Sequence, residues 1–96
     1  MSEMIQVEKA VVKPMTAEIL LDYPVEIDGV SVGHLTMRRP KVRDKKVSDA
    51  QGGTEAEREA TFFANLCMVS PKVIDELDLV DYAKLGEAFL GFLNRN

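Results

Sequence analysis

The sequence predicts an α+β domain, an N-terminal β-hairpin followed by three to four short helices packed as one small domain. Three observations carry this prediction. Ile19, Leu21, Tyr23, Val25 and Ile27 fall at strict two-residue spacing, the period of a strand with one apolar face. Asp28-Gly29 follows directly, a dipeptide whose tolerance of positive φ suits a tight type I′ turn. Beyond Pro40 the apolar residues recur at steps of three and four, the period of an amphipathic helix. Ninety-six residues, 46% of them apolar, suffice for one thin core and leave no room for a second.

Residues 1–15 mix apolar and charged side chains with weak alternation at Ile5 and Val7. They are expected to form a loosely held arm or an added edge strand, ahead of a single domain over residues 16–96. In the hairpin a two-residue loop pairs Ile27 with Val30 and Val25 with Val32, which places His34 opposite Tyr23. Leu35 and Met37 have changed phase relative to Val30 and Val32, so a bulge at Gly33 is expected to reset the register. Pro24 cannot donate to a ladder and belongs at an edge or in an outward position.

The helical half begins with Pro40, which suits a first helical turn, and Val42 with Val47 supplies a sparse apolar side. Gln51-Gly52-Gly53 breaks the chain. Thr54 and Glu57 form a capping box, in which each side chain can reach the other's backbone N–H. Ala56, Ala60, Phe63 and Cys67, with Leu66 beside them, then make one buried stripe. Ser70-Pro71 starts a short helix bearing Val73, Ile74 and Leu77. Asp78 caps a last helix in which Leu79, Tyr82, Gly86, Phe89 and Leu93 line one side, widened by Leu85 and Phe92.

The sequence offers little to catalysis or to metals. Cys67 is the only cysteine and His34 the only histidine, so one chain cannot build a Cys/His zinc cage. Cys67 falls on a buried stripe with no cation near it in sequence, the setting of a packed core thiol. His34 lacks a nucleophile or an orienting carboxylate in any recognisable pattern and reads as a surface or cross-strand residue. Asp75, Glu76, Asp78 and Asp81 lack the glycine bend of a calcium loop and read as acids gathered at a helix start. Gly52-Gly53 precedes Glu55, Glu57 and Glu59, which would repel a phosphate. Catalytic residues, cofactor-binding residues and metal ligands are therefore not expected.

The charge map says more. The chain carries −4 overall. Arg38, Arg39, Lys41, Arg43, Lys45 and Lys46, less Asp44, make residues 38–46 +5, so the remainder is −9. Such a segment suits an acidic protein surface, and Arg38, Arg39, Lys41 and Arg43 are the candidate basic contacts. Phosphate contact is the alternative, a small nucleic-acid-binding regulator using segment 38–46. No aromatic side chain sits among these charges to stack on bases, and nucleic acid is not the expected partner. A +5 segment and a −9 remainder could also stack head to tail into a homo-oligomer. No signal peptide or membrane-spanning stretch is visible, so a cytoplasmic protein is expected. The last helix carries more apolar surface than a core of this size consumes. Leu79, Tyr82, Leu85, Phe89, Leu90 and Phe92 are accordingly the candidate apolar partner surface.

The ordered set Leu21-Asp22-Tyr23-Pro24-Val25, Asp28-Gly29-Val30 and Met37 through Asp44 continues with Glu57-Arg58-Glu59, Asn65-Leu66-Cys67, Ser70-Pro71 and Leu77 through Tyr82. Over residues 17–93 it resembles the small tail assembly chaperones of contractile-tailed phages and Mu-like prophages. The resemblance implies a non-enzymatic protein that binds the tape measure protein and keeps it soluble during tail assembly in the bacterial cytoplasm. It also implies departure before the virion is finished, and a frameshifted long form of the same chain as a possible second partner.

Overall fold

The hairpin turn shows why Asp28-Gly29 stands where it does. In a computed structural model that describes residues 14–94, Asp28 has φ 51° and Gly29 φ 82°. Both residues are left-handed, as a type I′ turn requires. The turn joins β1 (Thr16–Ile27) to β2 (Val30–Arg38), an antiparallel pair that forms a two-stranded sheet. Helices α1 (Val42–Ala50), α2 (Glu55–Cys67), α3 (Pro71–Asp75) and α4 (Leu79–Leu93) follow. The expected architecture of a hairpin followed by helices is therefore the observed one. The expectation for residues 1–13 lies outside the described residues.

Near the turn Ile27 pairs with Val30 and Val25 with Val32, as the loop length predicts. Further out the register differs from the simple one. His34 pairs with Leu20 rather than Tyr23, Leu35 with Ile19 and Met37 with Ala17. The four residues Leu21 to Pro24 of β1 stand opposite Gly33 alone. The irregularity thus falls where the phase of β2 changes, but its extra residues belong to β1. Ile19 and Leu21 stay buried on the inner face, while Tyr23 swings out and is 58% exposed. Strict alternation placed Tyr23 inside; the bulge removes it. Pro24 lies in this unpaired stretch, where its missing N–H leaves no ladder position empty.

The helices cover one face of the sheet. Ile19, Leu21, Leu35 and Met37 meet Phe63, Ala64, Leu66 and Cys67 of α2, Val73 and Ile74 of α3, Leu77, and Leu85 and Phe92 of α4. On the opposite face Glu18, Leu20, His34 and Thr36 are exposed.

The predicted caps are present. Glu57 N–H donates to Thr54 Oγ1 at 3.1 Å and Thr54 N–H to Glu57 Oε1 at 2.9 Å. Ser70 Oγ accepts from Lys72 N–H at 3.0 Å, with Pro71 at the first helical position. Asp78 Oδ1 accepts from Val80 N–H at 2.9 Å. Each answers an N–H that the first helical turn leaves without a partner.

Two helices, α1 and α4, bury faces other than those expected. In α1, Val42 and Val47 are exposed and the buried residues are Asp44 and Ser48. Pro40 precedes the cap residue Lys41 instead of opening the helix. This helix is fastened by polar contacts: Asp44 takes Arg38, and Ser48 Oγ donates to the Arg58 carbonyl at 3.0 Å. In α2 the expected stripe is buried from Phe63 to Cys67, Ala60 is half-buried and Ala56 is exposed.

In α4 the buried positions are Asp81, Leu85 and Phe92, with Ala88 partly covered. Leu79 and Leu93, expected on the inner side, are exposed. The rotation of this face has a polar cause. The fully buried Asp81 carboxylate accepts N–H bonds from Asp22 at 2.8 Å and Tyr23 at 3.0 Å, so it caps the bulge of β1. Lys84 Nζ sits 3.2 Å from Asp81 Oδ1 and also donates to the Leu20 carbonyl and to Asp22 Oδ1. Burial pushes the Asp81 carboxyl up, and the two N–H donors with Lys84 more than reverse it, leaving it below the usual carboxylate range. Asp81 is a tertiary tie between helix and sheet, beyond the helix-start role its position suggests.

Candidate functional site

The basic segment divides once it is folded. Arg38 makes a two-pronged contact with Asp44, with Nη1 donating to Oδ2 at 2.9 Å and Nη2 to Oδ1 at 2.6 Å. Lys41 N–H adds a third bond to the same carboxylate at 2.8 Å. The Arg38 bonds, helped by Lys41 and opposed by burial, hold the Asp44 carboxyl down at about 2. Arg39 donates to the Pro14 carbonyl at 3.1 Å and the Phe92 carbonyl at 3.0 Å, and its guanidinium lies 5.4 Å from the Phe92 ring centre. A cation answering the Phe92 carbonyl near the C-terminal end of α4 suits the dipole of that helix. Arg38 and Arg39 are thus spent on the fold. Lys41 and Arg43 are exposed.

Lys41 lines a groove of about 600 Å³ among α1, α2 and α4. Its α1 side carries Lys41, Val42, Lys45 and Asp49, and its α2 side carries Glu55, Arg58, Glu59 and Phe62. Phe89 and Leu93 of α4 complete the apolar lining. Phe62 and Phe89 meet edge to face with ring centres 5.4 Å apart, and Phe89 lies 6.3 Å from Phe63 in the same manner. Phe63 in turn meets Tyr82 edge to face at 5.7 Å. The Tyr82 hydroxyl donates to Glu59. Burial, with the Glu59 carboxylate beside it, raises the phenol well above its ordinary range.

The six apolar candidates separate into three groups. Leu85 and Phe92 are core residues and present no surface in the monomer. Tyr82 and Phe89 are half-buried against α2, with Phe89 reaching the groove. Leu79 and Leu90 are 81% and 64% exposed. With Ala83 they share the outer face of α4, because positions separated by four and eleven residues recur on one side of a helix. Phe62, Val42 and Leu93 line the groove although the sequence did not single them out as partner contacts. Phe62 had one signal, its adjacency to Phe63, since neighbouring aromatics on a helix cannot share one face.

The remaining chemistry-bearing side chains are ordinary. Cys67 is buried, and burial alone pushes its thiol up to about 11. The His34 ring is exposed, with Nε2 3.8 Å from Glu18 Oε1. Among the described residues no group of three His, Cys, Asp or Glu side chains could hold a metal ion, and no helix is long and apolar enough to cross a membrane.

Fold and site together define a small α+β domain with an open groove lined by aromatic, aliphatic and charged side chains. Residues 18–94 match the family model for phage tail assembly chaperone proteins, E, or 41 or 14, and the chain belongs to that family. Membership implies protein partners in tail assembly. Comparisons with curated proteins and with solved structures give no match.

Proposed function

We propose that this protein is a non-enzymatic chaperone that binds the tape measure protein and keeps it soluble in the host cytoplasm until it is built into the tail, where the chaperone itself does not remain. The observation that carries the reading is the groove: the half-buried Phe62 and Phe89 and the exposed Val42 and Leu93 give it an apolar lining. Val42 and Leu93 are 72% and 54% exposed, and they line one concavity with Phe62 and Phe89 instead of standing as scattered single residues. An amphipathic helix laid into such a groove buries its apolar stripe there and keeps its polar face in water. Long helical clients expose stripes of this kind before they assemble. Leu79 and Leu90 on the outer face of α4 supply further apolar contact.

Co-expression with a tape measure protein from the same genome tests the reading. The wild-type chain should move that protein from the pellet to the soluble fraction. Val42→Glu and Leu93→Glu, which place charge at exposed groove positions without entering the core, should abolish the effect. Equal insolubility with and without the wild-type chain would end the proposal.

A further inference from the structure

We propose that the groove also fixes the direction of the helix it accepts, an inference that rests on the groove being the client site. Its two sides carry opposite charge. Lys41 and Lys45 are four residues apart and line the α1 side; Glu55 and Glu59 are four residues apart and line the α2 side. Glu55 and Glu59 share one face of α2, Lys41 caps the helix that carries Lys45, and both pairs line the same concavity. Each side also carries one counter-charge, and one member of each like-charged pair is itself engaged, Lys45 by Asp49 and Glu59 by the Tyr82 hydroxyl. Asp49 lies 3.0 Å from Lys45 on its own helix, and Arg58 donates to the Gly53 carbonyl at 2.6 Å. Counting those two charges as well, the α1 side is +1 and the α2 side −1. Among the described residues no ion pair joins the two sides. Opposite charges therefore face the groove without closing it.

An amphipathic helix seated with its apolar stripe on Phe62 and Phe89 has a left and a right flank. Turning it end for end exchanges those flanks. A groove with equal sides would accept both directions, whereas one basic and one acidic side favours the direction that brings carboxylates to α1 and cations to α2. The partner so recognised is a helix whose apolar stripe is bordered by Asp and Glu on one flank and by Lys and Arg on the other. Charge arrangement then selects among orientations of one apolar contact, which is how electrostatics supplies specificity.

Two 18-residue helical peptides of identical composition test this, each with leucines at i, i+3, i+4 and i+7. One carries Glu on the left flank and Lys on the right; the other has the flanks exchanged. Each is prepared with a nitroxide at its N-terminus or at its C-terminus and added to the isotope-labelled full chain. Broadening of amides in the loop between α1 and α2, around Gly53, is compared with broadening around Leu93 at the other end of the groove. The expected result is about a tenfold preference for one direction, from a few exposed charge contacts of a few-fold each. The pattern should invert between the two peptides and weaken with added salt. It should invert again for either peptide with the double variant Lys41→Glu/Glu55→Lys. Binding in which both labels broaden both ends equally, or in which the pattern ignores the flank exchange, overturns the directional inference and leaves the groove as client site standing. Failure of both peptides to perturb groove amides overturns both.

Discussion

Replacing Asp44 by Asn removes a charge from the base of α1 while keeping the shape of the side chain and its capacity to accept from Lys41 N–H. The structure sets the size of the effect. Asp44 is 4% exposed and its carboxyl is held at about 2, against an ordinary 3.8. That gap corresponds to about 2 kcal/mol of native-state stability at neutral pH. Because the folded value lies below the unfolded one, the contribution is complete above about pH 5 and is lost as pH falls through 3.8 toward 2. Urea denaturation of wild type and Asp44→Asn at pH 7, 5.5 and 3 measures it. The difference should be about 2 kcal/mol at the two higher values and about 1 kcal/mol at pH 3. Other carboxylates cancel in the comparison. A difference that stays constant down to pH 3 would show that Asn perturbs packing and that the Arg38–Asp44 charge contact contributes little.

Leu85→Ala, at a fully buried site, should lower stability by about 3 kcal/mol, whereas Leu90→Ala, 64% exposed, should change it by less than about 0.5 kcal/mol; urea midpoints compare the two. Asp81→Ala should destabilise the domain and accelerate hydrogen exchange at the amides of Asp22 and Tyr23, which lose their acceptor, while amides next to the turn change least. Arg38→Ala should behave as a stability variant, and Arg43→Ala should leave stability unchanged. No retardation of DNA or RNA is expected at low salt; retardation whose log–log salt slope falls by about one in Arg43→Ala would instead favour a nucleic-acid partner for segment 38–46.

The elements written in local chemistry were legible from the sequence. Asp28-Gly29 carries its own turn type, Thr54 with Glu57 its own cap, and Ser70-Pro71 its own helix start. Each depends on residues at most three apart, and each is present. What escaped was the use of polar residues in tertiary contacts. An apolar count assigns Val42 and Val47 to the inside of α1, yet Asp44 and Ser48 are inside because Arg38 and the Arg58 carbonyl are there to meet them. The face of α4 was misplaced for the same reason: Asp81 looks like a solvated acid until the bulge of β1 supplies two N–H groups 58 and 59 residues away. The groove was hidden more deeply. Phe62, Val42 and Leu93 come from three helices, and no periodicity within one segment predicts where three segments leave a gap.

The division of the basic segment links stability to binding. Arg38 and Arg39 face inward and hold the start of α1 against the end of β2 and the last turn of α4. The same start of α1 bears Lys41 and Val42, which form one side of the groove. No apolar residue of α1 is buried, so the position of that side depends on the Asp44 carboxylate and the Ser48 hydroxyl. Polar anchors of this kind act over short distances and at fixed angles, and they hold a short helix in one place where a sparse apolar face would let it slide. Charge in residues 38–46 is therefore used twice: two arginines fasten the element, and Lys41 and Lys45 border the groove. Under the function proposed above, neutralising the first group should impair client binding by displacing the groove side, and neutralising the second by removing the charge it presents.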